Sequence, residues 1–446
     1  MANQILIKNG QFVSDGEITT GDMLITNDRI AAMENEISAP ENCEVVDAKG
    51  RYLLPGMIDD QVHFREPGLT HKGDIFSESR AAVAGGITSF MEMPNTQPTT
   101  TTLQALEAKY AIAAQSAAAN YAFYLGATND NLDVIRALDP RAAAGIKVFM
   151  GSSTGNMLVD NESTLAGIFR DSPVIITTHC ESTPRIQDNL QKAIKKFGKN
   201  IPLEQHPVIR DAEACFQSSS MAISLAREHD AQLHILHLTT EREMALFEPG
   251  PIEGKSITAE VCAHHLYFNS DDYSQFGNLI KCNPAIKSPS DQNALREALK
   301  AGRLDIIATD HAPHTTQEKA AEDYLQAPAG LPLVQDALLS VLEMVHDDFL
   351  TLPEIVTKTA HNPAIRFNVK DRGYLREGYF ADLVMVDTKQ FTDVSNENVL
   401  ARCGWSPFAG QRFRSRIEST WVNGSLAWHQ GQLVPQHAAQ RLEFDR

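Results

Sequence analysis

The chain has 446 residues, of which 43% are hydrophobic and 22% are charged, and its formal net charge is −18. This length exceeds that of one ordinary domain but suits a large α/β barrel with an appended module. The acidic balance argues against nucleic acid as a partner, so an anionic substrate would need a local basic pocket. No apolar run approaches the roughly 18 residues of a membrane span, and the N-terminus lacks a signal pattern, which favours a cytoplasmic protein. Six scattered cysteines without a CxxC pair favour reduced thiols over a disulfide framework.

The two ends of the chain carry β-hairpin patterns. Residues 1–52 contain short apolar segments with turn signals at Asn9-Gly10 and Lys49-Gly50. Similar segments return near the C-terminus, with a turn signal at Asn423-Gly424. We therefore predict that residues 1–52 and 373–446 pair into one small β-sandwich domain.

Between these ends, short apolar strands alternate with helical stretches. Helical periodicity is clearest in residues 102–118, 213–230 and 291–302, and Gly302 stands where a helix C-terminus is expected. Eight such units in about 320 residues predict a (β/α)8 TIM barrel over residues 53–372, with its active site at the carboxyl ends of the strands. The predicted strands are residues 52–59, 87–93, 121–127, 144–150, 174–180, 232–238, 257–263 and 304–310.

Polar side chains stand where these predicted strands end. Any one of them could be structural, because a lone buried histidine usually is and a lone lysine within a strand can snorkel. Their common placement at one end of one barrel favours an active site. These residues are His63, Arg65, Glu92, Asn95, Lys147, His179, His237, Asp310 and His314.

Lys147 lies within an apolar strand, where a bare ammonium group would be costly. Burial lowers the pKa of a lysine and leaves a neutral amine, which can capture carbon dioxide to form a carbamate able to bridge two metal ions. The alternative is an ion pair with an acidic neighbour such as Asp310. Beside such a carbamate, His179 and His237 would complete the mixed nitrogen and oxygen set that zinc accepts.

As a set, the motifs of the chain resemble those of the amidohydrolase superfamily, and within it the dihydroorotase family. The resemblance spans nearly the whole chain, and the motifs HFREPG and DIIATDHAPH are its most specific parts. The motifs that carry it are PGMIDDQVHFREPG (55–68), MPNT (93–96), GIKVFMGSSTGNM (145–157), THCES (178–182), HILHLT (234–239), AEVCAHH (259–265), CNPAIK (282–287) and ATDHAPH (308–314).

The resemblance implies a zinc pair bridged by a carbamylated lysine and a hydroxide, so that one or two Zn²⁺ ions are expected per chain. Lys147 would be the bridging lysine. His179 and His237 would bind one metal, and His63 and Asp310 would bind the other, with Asp310 also acting as general base and acid. The implied substrate-binding residues are Arg65, Asn95, Asn283 and His314, with backbone groups of Ala329 and Gly330.

The implied activity is the reversible, metal-dependent hydrolysis and cyclisation between dihydroorotate and N-carbamoyl-L-aspartate in pyrimidine biosynthesis, carried out by a homodimer. Arg65 would hold the carboxylate of the substrate bidentately. One alternative is another cyclic-amide hydrolase, such as a hydantoinase or an allantoinase, whose substrates lack this carboxylate. The other is a non-catalytic relative that serves as the structural partner of a transcarbamoylase.

One residue departs from the family pattern. The family has Asp-x-His-x-His in its first motif, whereas Gln61 stands here in place of the first histidine. An amide oxygen is a weak zinc ligand beside imidazole, so the metal near His63 is expected to bind loosely or to be absent. His264 and His265 resemble metal ligands in composition, but their family counterparts are not ligands.

Overall fold

The computed structural model describes residues 3–151 and 156–446. Residues 152–155, which belong to the motif at 145–157, lie outside the described residues. The strands are β1 (Gln4–Ser14), β2 (Glu17–Thr26), β3 (Arg29–Glu34), β4 (Glu44–Asp47), β5 (Tyr52–Pro55), β6 (Met57–Val62), β7 (Ile87–Glu92), β8 (Asn120–Phe123), β9 (Leu125–Gly126), β10 (Ile146–Phe149), β11 (Ile176–His179), β12 (Leu233–Ile235), β13 (Ile257–Cys262), β14 (Ile306–Ala308), β15 (Leu383–Asp387), β16 (Thr392–Asp393), β17 (Arg412–Phe413), β18 (Arg416–Val422), β19 (Ser425–His429) and β20 (Gln432–Leu433). The α-helices are α1 (Ile75–Ala84), α2 (Leu103–Ser116), α3 (Leu132–Arg136), α4 (Glu162–Asp171), α5 (Thr183–Phe197), α6 (His206–Ile209), α7 (Ala212–His229), α8 (Ala263–Tyr267), α9 (Tyr273–Phe276), α10 (Pro289–Lys300), α11 (Thr316–Lys319), α12 (Ala337–His346), α13 (Leu352–Val356) and α14 (Asn362–Phe367).

The two chain ends form one mostly antiparallel sheet of nine strands. Its strands follow the order β20-β19-β18-β15-β5-β1-β2-β3, with β4 beside β1. The two ends meet where β5 pairs with β15, and Leu53 lies opposite Met385. Alternate residues such as Ile7, Phe12 and Trp421 bury an apolar face in one cluster, as the two-residue period of a strand requires. The predicted β domain made by both chain ends is confirmed.

The parallel strands between these ends form a (β/α)8 barrel, which confirms the predicted fold. Strands β6-β7-β8 make one part of the barrel and β9 to β14 make the other. The two parts are joined where the amide of Ala144 donates to the carbonyl of Phe123 at 2.9 Å. The ring closes through a parallel bridge between Val62 and His311. The carboxyl ends of the strands therefore meet at one face, where a barrel carries its active site.

The prediction of one continuous strand over residues 52–59 is wrong, because this segment forms two strands, β5 and β6. Strand β5 belongs to the nine-stranded sheet and β6 belongs to the barrel. Gly56 lies between them, and a Cβ atom there would be 2.1 Å from Oγ1 of Thr88, so only glycine fits. A continuous apolar run does not mark where a chain passes from one sheet into another.

The predicted helices are confirmed with small shifts at their ends. Helices α2, α7 and α10 lie within two residues of the predicted limits. Helix α10 begins with a capping box in which Ser288 and Asp291 satisfy each other's backbone amides. Gly302 follows this helix with a φ of 71°, a left-handed conformation that glycine adopts without strain.

The composition also predicted the state of the cysteines. All six are free thiols, and all except Cys43 are buried, which confirms reduced thiols. Within residues 3–151 and 156–446, no helix is long and apolar enough to cross a membrane.

Candidate active site at the carboxyl ends of the barrel strands

A cavity of about 290 Å³ lies at the carboxyl ends of the barrel strands. Larger surface cavities exist elsewhere, so this one is distinguished by its chemistry and not by its size. Glu92 is not among its lining residues, because its buried carboxylate pairs with Nζ of Lys109 at 2.7 Å. The proposed site residues that line it are His63, Arg65, Asn95, Lys147, His179, His237, Asn283, Asp310, His314, Ala329 and Gly330, and Gln61, Phe149, Ala312 and Pro328 complete the wall.

Three of these residues have a strained backbone. Arg65, His237 and Asp310 have φ angles of 71°, 40° and 50°, a region that residues with a side chain rarely occupy. Each such conformation costs about 1–3 kcal/mol and persists only where the surrounding structure imposes it. The fold therefore imposes an unfavourable conformation in order to aim these side chains into the cavity.

His179 and His237 face each other at the ends of neighbouring barrel strands. Nδ1 of His179 lies 2.9 Å from Nε2 of His237. Nε2 of His179 lies 2.8 Å from the Glu181 carboxylate, so this nitrogen carries the proton and Nδ1 keeps its lone pair. Burial lowers the pKa of both histidines, so both imidazoles are neutral at neutral pH. Neutral imidazoles oriented by an outer carboxylate are typical metal ligands.

Glu181 is itself held in place by Arg210. Nε of Arg210 donates to Oε1 of Glu181 at 3.0 Å. Although burial opposes it, the charge of Arg210 and the contact with His179 hold the pKa of Glu181 below its usual range. The carboxylate is therefore ionised and able to orient His179. This pair was not predicted from the sequence, although Glu181 follows His179 closely in the motif THCES.

Lys147 is a buried amine. Burial lowers the pKa of Lys147 to about 8. Among residues 3–151 and 156–446, Nζ has no hydrogen bond or ion pair, and it lies 4.6 Å from the centre of the Phe149 ring. The alternative of an ion pair with Asp310 is thus not found within that part of the chain. A buried amine with a lowered pKa has the properties that carbamate formation requires.

One oxygen of Asp310 lies close to two neighbours, of which only Gln61 donates a hydrogen bond to it. Its Oδ1 lies 3.1 Å from Nε2 of Gln61 and 3.1 Å from Nε2 of His63. Nδ1 of His63 lies 2.8 Å from the amide oxygen of Asn95, so Nδ1 carries the proton and the lone pair of Nε2 faces Asp310. Gln61 thus presents an amide N–H to Asp310, where the family pattern has a ligand nitrogen.

The guanidinium of Arg65 is fixed at one side of the cavity. Nε of Arg65 donates to the carbonyl of Pro313 at 3.1 Å, and this bond holds the group in place. Nη2 packs 3.3 Å from Nε2 of His314 without donating to it, because Nε2 carries the ring proton. Burial lowers the pKa of Arg65 to about 10, which leaves the group cationic at neutral pH. It is therefore a fixed positive charge within an acidic protein.

His314 lies in the cavity wall, but both of its ring nitrogens are engaged by the protein. Nζ of Lys72 lies 3.1 Å from Nδ1, and the carbonyl of Ala329 lies 3.1 Å from Nε2. Burial, together with the charges of Arg65 and Lys72, lowers the pKa of His314 far below its usual range, so the ring is neutral. Because Lys72 donates to Nδ1, the proton lies on Nε2 and is donated to Ala329. His314 thus holds the Ala329 loop against Arg65.

The loop at Ala329-Gly330 requires a glycine and is held by hydrogen bonds to neighbouring residues. Gly330 has a φ of 143°, and a Cβ atom there would be 2.4 Å from the carbonyl of Ala312. The amide of Gly330 donates to the backbone carbonyl of Lys281. The carbonyl of Gly330 accepts from Nζ of Lys319 at 3.0 Å. Lys319, whose ammonium group holds this loop, was not predicted from the sequence. The backbone N–H of Ala329 is left without a partner in the described part of the chain.

Several polar atoms of the cavity have no protein partner within residues 3–151 and 156–446. Three are donors or can be, namely Nη1 of Arg65, Nδ2 of Asn95 and the backbone N–H of Ala329. Two are acceptors, Oδ2 of Asp310 and the buried Oδ1 of Asn283. Buried polar groups are nearly always satisfied in a folded protein, so the buried Oδ1 of Asn283 indicates a polar ligand. The other atoms belong to residues that line the cavity and are available to the same ligand.

Comparison with known proteins decides the family. The model of the amidohydrolase family matches residues 52–427. The chain belongs to the amidohydrolase family. It is 34% identical over 424 residues to a dihydroorotase of Halobacterium salinarum, which covers 93% of this chain and 94% of that protein. It is 30% identical over 444 residues to an allantoinase of Deinococcus radiodurans, with 97% of each chain covered.

One solved structure shares this fold over nearly the whole chain. The L-hydantoinase (dihydropyrimidinase) from Arthrobacter aurescens superimposes with a TM-score of 0.94 and 27% identity, over 99% of this chain and 100% of that one. The relatives of this amidohydrolase carry three different names, so the comparisons establish a hydrolase of this family. The choice of substrate has to come from the residues of the cavity.

The donors of this amidohydrolase fit a metal ion better on one side of the cavity than on the other. Lys147, His179 and His237 offer two neutral imidazoles and an amine that can become a carbamate, a donor set that zinc accepts. His63 and Asp310 offer one imidazole and one carboxylate, and Gln61 adds only an amide. We therefore expect the metal ion near Lys147, His179 and His237 to be bound more tightly than any metal ion near His63 and Asp310.

Replacing Gln61 with histidine is expected to raise the metal content by about one tightly held ion per chain above that of the native protein, because an imidazole nitrogen binds zinc at about 2.0–2.1 Å. The measurement is elemental analysis after dialysis against a weak chelator. Gln61→Leu, which fills the same space without a donor, is the matched control and should keep the native content. Equal metal contents in the native protein and in Gln61→His would contradict the weakness assigned to the His63 side.

Proposed function

We propose that this amidohydrolase is a dihydroorotase, which interconverts dihydroorotate and N-carbamoyl-L-aspartate. The observation that carries the proposal is the set of unpartnered donors of Arg65, Asn95 and Ala329 in one cavity. A fixed guanidinium with further N–H donors beside it is suited to a planar carboxylate. Dihydroorotate keeps such a carboxylate throughout the reaction, and the relative from Halobacterium salinarum bears the same name.

Hydrolysis adds water to the ring carbonyl carbon and breaks its bond to the ring nitrogen. Oδ2 of Asp310 has no protein partner in the described residues, and it is the group that would accept the proton of the attacking water. Asp310 would then deliver this proton to the departing nitrogen, which leaves as the ureido NH₂ group. Ring closure uses the same groups in reverse order, with Asp310 first as acid.

The remaining residues would bind and orient. The buried amide oxygen of Asn283 can accept a hydrogen bond from a ring N–H. Lys147, His179 and His237 would hold the metal, which we propose to be zinc. When bound, this ion would lower the pKa of the water and polarise the carbonyl oxygen. The cavity of about 290 Å³ is sufficient for a small ring and excludes much of the bulk water.

A second candidate is another cyclic-amide hydrolase, because the relatives include proteins named allantoinase and L-hydantoinase. Substrates of that kind lack the carboxylate that Arg65 would hold. Turnover of dihydroorotate, allantoin and hydantoin by the same preparation decides between the two. We expect the largest kcat/KM for dihydroorotate, and a preference for allantoin or hydantoin would overturn the proposal. No turnover of any of the three would favour a non-catalytic role.

The Arg65→Lys variant is expected to lose roughly 1.5–3 kcal/mol of binding, which is about a 10-fold to 150-fold rise in KM for dihydroorotate. The loss should fall on KM and not on kcat, because the carboxylate keeps its charge throughout the reaction. Any slow turnover of hydantoin should change little in the same variant, since hydantoin has no carboxylate to lose. Unchanged kinetics on dihydroorotate would refute the role of Arg65.

Other expectations extend the proposal to the cell. A role in pyrimidine biosynthesis follows from the proposed substrate and depends on it. The homodimer, the cytoplasmic location and the division of the chain at residues 52 and 373 stay predictions. Sedimentation measurements on the purified protein test the dimer directly.

A further inference from the structure

A second cluster of metal-ligating side chains lies deeper in the barrel. It consists of Asp60 on β6, His234 on β12 and Glu260 on β13, and all three are completely buried. None of them lines the cavity of the candidate active site. On their strands, Asp60 precedes His63 and His234 precedes His237, so the cluster occupies a layer nearer the amino-terminal end of the barrel.

The three side chains are close enough together to share one ion. Nε2 of His234 lies 3.3 Å from Oδ2 of Asp60 and 3.2 Å from Oε2 of Glu260. Two ligands that each bind zinc at about 2.0–2.1 Å in a tetrahedral arrangement are about 3.3 Å apart. The observed separations thus match the edges of a zinc coordination shell.

The hydrogen bonds of His234 leave its lone pair facing the two carboxylates. Nδ1 of His234 lies 2.8 Å from Oγ1 of Thr258, and this hydroxyl donates to the carbonyl of Leu233 at 3.4 Å. The hydroxyl therefore accepts from Nδ1–H, so Nε2 is the ring nitrogen that can present a lone pair to an ion between the two carboxylates. Fixing one ring nitrogen in this way is the usual means of orienting a histidine ligand.

The buried carboxylate of Asp60 lacks a hydrogen-bond donor. Both oxygens of its carboxylate lack a hydrogen-bond partner, and the 3.3 Å approach to His234 falls outside hydrogen-bond geometry. In the described part of the chain, no lysine or arginine forms an ion pair with Asp60 or Glu260. Burying a carboxylate without a partner or a counter-charge is strongly unfavourable. Asp60 is such a group, and a cation held between it, Glu260 and Nε2 of His234 would meet its requirement.

We propose that Asp60, His234 and Glu260 hold a divalent zinc ion inside the barrel, in addition to any metal of the active site. The second unpartnered oxygen of Asp60 would provide the fourth ligand by bidentate binding, which gives the closed coordination of a structural site. Because the cluster has no exposure to solvent, the ion would enter as the chain folds and would not exchange in the folded protein.

The proposed ion would also stabilise the active site. Oε1 of Glu260 accepts a hydrogen bond from the backbone N–H of His237 at 3.0 Å. His237 has the strained φ of 40° that aims its ring into the cavity. An ion that fixes Glu260 would thus fix the backbone of a proposed ligand of the catalytic metal. The site itself does not depend on which substrate the cavity takes.

The test uses the full chain, expressed with added zinc, carrying both Lys147→Ala and His179→Ala so that the cavity no longer binds metal tightly. Elemental analysis should still find about one zinc ion per chain after dialysis against EDTA, and this ion should be released when the protein is unfolded in guanidinium. Absence of a tightly held ion would overturn the proposal and show that the cluster shares protons instead.

Two further variants locate that ion. Adding Asp60→Asn to the same background should remove it, because the second carboxylate oxygen is lost. Adding Cys262→Ser should leave it in place, although Cys262, His264 and His265 form another buried group with suitable atoms in the described residues. The opposite pattern would assign the ion to the cysteine group and overturn the proposal. If a variant fails to fold, a wild-type crystal measured at the zinc absorption edge should show an anomalous peak among the three side chains, and a missing peak would refute the site.

Discussion

The Lys147→Ala variant is expected to lose roughly 10³-fold in kcat/KM and to lose the metal held by His179 and His237. The reason is that a carbamate on Lys147 would supply the anionic oxygens that bind the metal, and metal chemistry of this kind contributes several kcal/mol to the transition state. Elemental analysis and turnover of dihydroorotate measure the two losses. An intact mass measured under native conditions should show the added carbon dioxide in the wild type only.

A matched variant separates the chemistry from the packing. Lys147→Met fills the same buried volume but has no amine, so it should be as inactive as Lys147→Ala while unfolding at nearly the wild-type temperature. Short carboxylic acids should restore part of the activity of Lys147→Ala, whose cavity can admit them, and none of the activity of Lys147→Met. Lys192, an exposed lysine paired with Asp188, provides a neutral Lys192→Ala control. Full activity with an unmodified Lys147 amine would refute the assignment.

The pKa of Lys147 gives this assignment a pH dependence. Burial lowers the pKa to about 8, so about one lysine in ten is neutral at pH 7 and most are neutral at pH 9. Only the neutral amine reacts with carbon dioxide. Reconstitution with zinc and bicarbonate of protein stripped of its active-site metal should therefore be faster at pH 8.5 than at pH 6.5. Active-site zinc binding that needs no bicarbonate would argue against the carbamate.

The sequence predicted the barrel and the candidate site because one geometric rule connects them. Parallel strands of a barrel end at one face, so polar residues at the ends of different strands meet there even when they are distant in the chain. Lys147 and Asp310 illustrate the rule, since 162 intervening residues separate two side chains of one cavity wall. Gln61 was identified for a different reason, because it stands in place of the first histidine of the family motif Asp-x-His-x-His.

Features that depend on contacts between distant side chains were not predictable in the same way. Nothing in the sequence indicates that Arg210 orients Glu181, or that Lys319 holds the carbonyl of Gly330. The cluster around Asp60 was overlooked because apolar strands suggest an apolar barrel interior. Strand periodicity shows which residues face inward but not which of them meet across the barrel. These partners emerge only when the register of the strands is known.

The Asp310→Asn variant is expected to lose about 10²–10⁴-fold in kcat/KM in both directions, because asparagine keeps the shape of the side chain but cannot carry the proton. The two directions must lose the same factor, since the equilibrium constant belongs to dihydroorotate and N-carbamoyl-L-aspartate and not to the protein. The variant should keep the metal bound by Lys147, His179 and His237. A loss of activity with this metal retained would then be due to the missing base and not to a missing ion. Activity within tenfold of the wild type would refute the role of Asp310.

Asp59 provides the matched control for this prediction. It is also a buried aspartate, and Thr309 donates to it through both its amide and its hydroxyl, at 3.1 Å and 2.6 Å. Burial raises the pKa of Asp59 to about 8, so the side chain is already neutral at pH 7 and Asp59→Asn removes no charge. Asp59 does not line the cavity. Asp59→Asn should therefore keep most of the activity. An equal loss of activity in both variants would mean that Asp310→Asn acts by disturbing the strand ends and not by removing a catalytic proton carrier.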